Sequence, residues 1–532
     1  MFIFATEDRE NNKGIGKFNT FFAMKTIKEL RFICILLCVS VLFTKVAAQE
    51  TFFRTYEFNP ACGNMAFSIE NAEDGGFYVG GGYACQMFMN DWMFFKTDEH
   101  GDVQWMTRFA STMSPDFMDM IIGKNGNIYG VGNVYKYEEG EYFPGIGSVT
   151  PSGDSLTWET NCIDWDEACG YASGNYFDIS KTEDDNFLLA GDQEGCYSGA
   201  RIVLSKITEE GETLWIIKDT IYTTGSYYGV AAIEVPEEGV YLIGHGHNYF
   251  TEQVNGLYPQ QGLFVKHDNL GNRQIARTYS VEGDTVVFTF FGEIEYWGNE
   301  KLLVTGGFIE GWENATSVIA FIYQVDLEGN ILENSFLHKN KNSSIWGDDI
   351  INGIITLQDG GFLVYGNGTY GPTASQFGFM CRYNSAFEPM WYKTLGDKTG
   401  ETFNGRIHGG IELPDERLAF TGYKKLYPEN SRSFLLVTDA WGNGDYPSFE
   451  RPLEVPIALQ QTLIYPNPTN GQLIVDTGTD KIVPFTLFSL TGNLIKTGKV
   501  QARTNLDLSG FSAGIYVLRM PGYAPRKIVL SK

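Results

Sequence analysis

Few residues in this 532-residue chain stand at spacings that support chemistry. Gly510-Phe511-Ser512-Ala513-Gly514 reads G-x-S-x-G, the pattern that presents a nucleophilic serine on a strand-to-helix turn of an α/β sheet. The segment around it is all-β in character, so no such elbow is expected. His245 and His247 would put two imidazole nitrogens on one face of a strand. A zinc site needs at least one ligand more, and none stands nearby. Asp439, Asn443 and Asp445 partly match a calcium loop, but their spacing fails the EF-hand pattern. The chain has 6 histidines, no H-E-x-x-H and no C-x-x-C. No glycine-rich loop follows a strand and opens a helix, as a phosphate cradle would require. Acidic residues number 65, too many to single out a catalytic pair. No catalytic residue, metal ligand or cofactor is assigned.

What the chain repeats is a scaffold. Asp74 to Gly81 (DGGFYVGG) aligns without gaps with 125–132 (NGNIYGVG), 184–191 (DDNFLLAG), 237–244 (EEGVYLIG), 299–306 (NEKLLVTG), 359–366 (DGGFLVYG) and 415–422 (DERLAFTG). The opening residues suit a hairpin turn, because Asp, Asn and Gly tolerate positive φ. The apolar run is too short for a helix and has the makeup of a buried strand. A glycine at its end permits close approach of another backbone. A second turn follows in each repeat, around Gly101, Gly153, Gly211, Gly271, Gly329 and Gly442, with Ala386 in the sixth. Trp105, Trp158, Trp215 and Trp391 come four or five residues after that turn.

Two hairpins per repeat make a four-stranded sheet, which cannot bury both faces alone. Radial stacking of seven such sheets predicts an all-β, seven-bladed β-propeller over 49–446. The seventh repeat lacks an outer strand after Gly442, and 51–57 (TFFRTYE) stands unassigned before the first. That segment is expected to pair with the strand around Phe434 to Thr438, closing the ring and covering exposed edges.

The net charge of −26 disfavours nucleic acid and anionic membranes, which call for a basic footprint. From Met24 the chain reads as an export leader: Lys25, Lys28 and Arg31, an apolar run Phe32 to Phe43, then Val46-Ala47-Ala48. Residues 1–48 are expected to be removed, with the true start downstream of Met1, and the mature chain to carry no transmembrane span. Export permits disulfides. Cys62 precedes the first strand of its repeat and Cys85 follows the second, which predicts Cys62–Cys85. Cys169–Cys196 is the counterpart, with Cys162–Cys169 as a competitor; the partners of Cys162 and Cys381 stay open.

A proline-bearing linker, 447–462, leads to a segment of different character. Its features are Tyr465-Pro466-Asn467-Pro468 with Gly471, a central L-T-G-N turn at Gly492, the strand around Gly514 and Tyr516, and a basic terminal strand with Lys527. Residues 463–532 closely resemble the C-terminal sorting domain of the type IX secretion system of Bacteroidota. Alternating strands and glycine turns agree with a small Ig-like β-sandwich. The resemblance implies passage through the outer-membrane type IX machinery, to the medium or the outer cell surface. The G-x-S-x-G match lies inside this motif. The repeats themselves resemble, more loosely, secreted propellers of that phylum, which implies fold and no activity.

Aromatic residues after the repeat glycines form the candidate ligand face: Trp92, Tyr137, Tyr249, Tyr258, Trp312, Tyr370 and Tyr427. Aromatic rings suit stacking on sugars or packing on protein. The expected function is a secreted or surface-held binding protein for a glycan or protein ligand. The alternative is a propeller enzyme acting on polysaccharide, a lyase or glycoside hydrolase, with carboxylates near the central channel. The absence of any catalytic motif favours binding.

Overall fold

The computed structural model describes residues 50–448 except 87–88, 110–115, 137–140, 161–173, 196–198, 220–225, 248–258, 281–285, 311–317, 338–345, 371–374, 397–403 and 426–429. It also describes 463–531 except 479–481, 490–493 and 521–522. The expected leader lies outside the described residues.

Seven four-stranded antiparallel sheets succeed one another along 52–438, and the fold is a β-propeller. The first sheet comprises Gly63–Asn71, Phe77–Gln86, Met89–Thr97 and Val103–Phe109 in spatial order. The innermost strands of the second to seventh sheets are Asp116–Ile122, Gly174–Lys181, Ser226–Val235, Val286–Tyr296, Trp346–Thr356 and Asn404–Glu412. The seventh sheet is completed by Phe52–Tyr56, which pairs antiparallel with Arg432–Thr438, Phe52 opposite Val437 and Tyr56 opposite Ser433. The expected closing strand is therefore in place, at the expected partner.

Stacking supplies the core. One apolar cluster joins each sheet to the next, and the set returns on itself. Trp92, Phe94 and Tyr78 of the first sheet meet Phe117 and Met120 of the second. Leu435 and Val437 of the seventh sheet meet Phe77, Val79 and Phe95 of the first. Burial of both sheet faces explains why the second and third strands read as continuous apolar runs rather than alternating ones.

The repeat glycines have one physical cause. Each innermost strand carries a β-bulge, and the repeat glycine pairs with the residue just before it: Ala66 with Gly81, Phe117 with Gly132, Tyr176 with Gly191, Gly229 with Gly244, Phe291 with Gly306, Ile351 with Gly366 and Ile407 with Gly422. The bulge pushes a carbonyl oxygen against the neighbouring strand. A Cβ on Gly81 would stand 2.0 Å from the Met65 oxygen, and one on Gly244 1.9 Å from the Tyr228 oxygen. No side chain fits there.

The acidic residue heading the repeat does more than start a turn. In three repeats it receives a cation from the third strand of its own sheet, Lys96 with Asp74, Lys206 with Asp184 and Arg382 with Asp359, and in the fourth repeat Lys266 reaches the second residue, Glu238. The second turn instead rests on the outer strand of the preceding sheet. Trp105 Nε1 donates to the Pro151 carbonyl at 3.0 Å, and a Cβ on Gly153 would stand 2.7 Å from the Trp105 ring. Tyr56 on the closing strand donates to the Gly101 carbonyl at 2.9 Å, so the closing contact copies the others. In the sixth repeat the left-handed position belongs to Phe387 (φ 62°), one residue after Ala386. That corrects the alignment at this turn. The Phe387 ring packs with Phe362, Tyr383 and Trp297, where the fifth sheet's outer strand, Ile331–Phe336, carries no tryptophan.

Residues 463–531 form a three-stranded sheet, Leu463–Tyr465, Gln472–Asp476 and Arg503–Asp507, and a four-stranded sheet, Leu494–Gln501, Ile482–Ser489, Gly514–Met520 and Tyr523–Leu530. They share a core of Leu473, Val475, Leu487, Leu518 and Ile528, a small β-sandwich.

Candidate functional site

A four-stranded meander puts its first and third connections at one rim and the others at the opposite rim. At the first rim the connections are uniform tight turns, closed by side-chain caps such as Asp98 Oδ1 accepting from the His100 and Asp102 amides at 3.0 and 2.8 Å. Asp439 does the same for the Trp441 and Asn443 amides, both at 2.8 Å, so its group is a turn cap. At the other rim the connections between second and third strands range from 87–88 to 248–260. Loop variation is confined to one rim.

The innermost strands contact one another in succession around the ring and line its axis. Here the structure brings together side chains that sequence reasoning did not select. Asp119 and Asp178 follow the bulges of the second and third sheets, Glu293 stands in the bulge of the fifth, and Glu70 and Glu295 lie opposite Tyr78 and Leu303. All five are half-buried. Burial pushes the Glu70 carboxyl up to about 8, with the Asp119 charge adding to it. Burial alone lifts Glu295 to about 7. Asp178 and Glu293 are held well above the ordinary range by burial first and then by each other's neighbours, Asp119 for Asp178 and Asp178 for Glu293. Asp119 is raised by burial, opposed by the Ser68 hydroxyl. Tyr365 is raised by burial and then by Glu293.

Two of these carboxylates also tie sheets together. Asp178 Oδ2 accepts from the Ala232 amide of the next innermost strand at 2.9 Å. Asp119 Oδ2 accepts from the Ile179 amide at 3.4 Å. The signal that marks them is position relative to the bulge, which becomes visible only once the register is known. His408, in the bulge of the seventh sheet, stacks on Tyr423, and burial pushes it down to about 3.

The candidates read from sequence divide clearly. Trp92 is fully buried and packs edge-on against Phe117 at 5.4 Å, so it is core and not ligand face. The third strand already begins at Met89, which places Trp92 inside the sheet. Tyr137, Tyr249, Tyr258, Trp312 and Tyr427 lie outside the described residues, and Tyr370 ends a strand at the variable rim. His245 packs on Tyr228 at 5.3 Å, and burial lowers it to about 4. Among the described residues no group of three or more His, Cys, Asp or Glu side chains could hold a metal ion. Cys62 and Cys85 are bonded as expected; Cys162, Cys169 and Cys196 lie outside the described residues, and Cys381 is a buried free thiol. Ser512 sits in a turn between two strands, without the helix an elbow needs.

In the C-terminal sandwich the motif residues hold the last strand. Asn467 Oδ1 accepts from the Val529 amide at 2.8 Å and its Nδ2 donates to the Lys527 carbonyl at 2.6 Å. Gly471 (φ 128°) leaves no room for a Cβ beside Ser509. Arg503 lies over the Tyr465 ring at 5.3 Å, and Tyr516 donates to the Ser512 carbonyl at 2.7 Å. Tyr465–Pro466 and Asn467–Pro468 are cis. Gly492 lies outside the described residues; Gly514 opens a strand and the Lys527 side chain is exposed.

No curated protein matches the chain. Among solved structures, a protein of unknown function from Dyadobacter fermentans is similar at 10% identity, covering 72% of this chain and 97% of that one, with a TM-score of 0.41. An α-L-arabinofuranosidase of Fusarium graminearum is similar at 10% identity, over 73% of this chain and 98% of that one, with a TM-score of 0.38. The β-propeller domain of the Trilobed protease from Pyrococcus furiosus is similar at 11% identity, over 74% and 98%, with a TM-score of 0.39. Among the described residues no helix is long and apolar enough to cross a membrane. Residues 463–529 match the family described as the secretion system C-terminal sorting domain, and the chain is accordingly a β-propeller with a type IX sorting tail, exported to the medium or the outer cell surface.

Proposed function

We propose that the exported propeller is a binding protein that takes a glycan at its variable rim. The contrast between the two rims carries this reading. One rim repeats the same capped turns, while the other alone changes length from sheet to sheet. Tyr137, Tyr249, Tyr258, Trp312 and Tyr427 belong to those variable connections, and Tyr370 borders one. Aromatic faces stack on sugar rings at little entropic cost. A protein ligand is the other occupant such a surface suits.

One observation favours a second reading. Glu70 and Glu295 keep their protons near neutral pH at the axis, among carboxylates that shift one another. A carboxyl group held protonated near neutral pH is the general-acid half of the equipment of glycoside hydrolysis. The purified exported protein should be run on a glycan array and in a reducing-end assay on the bound glycans. Retention without product supports binding, release of reducing ends supports hydrolysis, and neither signal overturns the glycan assignment.

A further inference from the structure

The ring has a seam. Between the first and seventh sheets the covalent path is only the segment 57–62, which runs from the closing strand Phe52–Tyr56 into Gly63–Asn71. At every other boundary within the ring the preceding sheet's outer strand is reached by an unbroken meander. Among the described residues the closing strand pairs with Arg432–Thr438 alone. The contacts that hold the seam converge on the start of Gly63–Asn71. Asn64 Oδ1 accepts from the Ser433 amide at 2.6 Å, and the Asn64 amide donates to the Ser431 carbonyl at 2.9 Å. Asn430 donates to the Pro60 carbonyl at 3.3 Å, and Arg432 pairs with Glu57.

The one disulfide among the described residues sits at this point. Gly63 and Ala84 are the last register pair of their hairpin, and Cys62–Cys85 adds a covalent rung beyond it, at the open end. Cys62 is 3% exposed and packs with Tyr56 and Tyr83 on the seam cluster, whereas Cys85 is exposed at the rim.

We propose that Cys62–Cys85 is a reducible clasp on the ring seam, which an external dithiol opens locally without unfolding the propeller. The reductant attacks the exposed Cys85 sulfur, and Cys62 leaves as a thiolate. The second thiol of the reductant then resolves the mixed disulfide. Two electrons and two protons reach the cysteines, and the reductant becomes a cyclic disulfide. The hairpin end that carries Asn64 then frays, and the closing strand loses the platform on which its linker rests.

Hydrogen exchange of the full exported protein, before and after dithiothreitol, tests this. Reduction should speed exchange about tenfold in Phe52–Tyr56, at Asn64 and in Arg432–Thr438, as local opening does, and leave Gly239–His247 unchanged. The double variant Cys62→Ala/Cys85→Ala should show the same pattern, which excludes any bridge among Cys162, Cys169 and Cys196. If that variant does not fold, reduced wild type with Cys62 and Cys85 identified by alkylation gives the same comparison. Equal acceleration in all sheets, or none at the seam, overturns the clasp.

Discussion

Gly191 faces the carbonyl oxygen of Asn175 so closely that a Cβ would stand 2.0 Å from it. The atom met is backbone, held by the ladder between Gly174–Lys181 and Phe187–Gly195, and it has nowhere to go. Gly191→Ala should therefore cost about 3 kcal/mol or more, in the range of overpacked core positions. Gly82→Ala, where a Cβ would meet only the Phe67 ring at 3.8 Å, is the control within the propeller. Thermal melts of the two variants read the difference; equal melting temperatures would mean that the bulge relaxes.

The buried titratable groups give stability a pH dependence with two limbs. Glu295 and Glu70 bind protons more tightly folded, at about 7 and about 8, than their ordinary 4.5. Their contribution is full below 4.5 and is lost as pH rises through 7 to 8. His408 and His245, lowered to about 3 and about 4 from 6.5, work the other way. Theirs is full above 6.5 and lost as pH falls. Stability should peak between these windows, near mildly acidic pH. Glu295→Gln should flatten the alkaline limb by about 3 kcal/mol. Denaturant midpoints between pH 5 and 9 that do not move in wild type would contradict the raised carboxyls.

What could be read from sequence was what backbone geometry enforces. Seven bulges forbid a Cβ at seven places, so Gly81 and its six counterparts stand in the text at regular intervals. The acid at Asp74 or Asp184 was legible as a turn former, but its cation lies 22 residues on in each case, at Lys96 and Lys206, and sequence gives no reason to join them. The axial carboxylates were illegible because equivalent positions beside the bulges hold Ser68, Asp119, Asp178, Ala231, Gly353 and Gly409. Convergence comes from the ring, not from any motif. Trp92 misleads because an aromatic shortly after a repeat glycine reads as loop, while both strands run on past the glycine and bury it.

Phe387 tests a compromise. Its backbone sits at φ 62°, where glycine would be unstrained, yet its ring fills the gap among Trp297, Phe362 and Tyr383. Left-handed strain on a bulky residue costs on the order of 1 kcal/mol, while removing a buried phenylalanine ring costs about 3 kcal/mol or more. Burial wins, so Phe387→Gly should lower stability despite restoring the residue type of the other turns. A more stable Phe387→Gly protein would show that the ring contributes little.

Removal of residues 50–61 asks whether the closing strand is structural or ornamental. The ladder to Arg432–Thr438 would be lost, and Leu435, Val437 and Phe95 would be left partly uncovered. A chain beginning at Cys62 should aggregate or melt far below one that keeps 50–61, because an unclosed array exposes its stacking face. Equal melting temperatures would favour an open ring.

The sorting tail should fail through its last strand. Asn467 satisfies one donor and one acceptor of Tyr523–Leu530, at Val529 and Lys527, and the strand's other edge pairs only with Gly514–Met520. Asn467→Ala leaves both backbone groups without their partner, a loss of about 1 kcal/mol for each hydrogen bond. In a sandwich with one core cluster of this size that is a large share of total stability. The variant should fold its propeller normally and reach the medium or cell surface in reduced amount. Deletion of 463–532 should abolish arrival there and leave the propeller in the periplasm. Fractionation with an antibody to the propeller reads both. Deleted chain found outside the cell at wild-type level would show that export does not depend on the tail. Loss of Asn467→Ala from every compartment would instead mean that misfolded protein is degraded, which a pulse-chase of the variant separates from failed sorting.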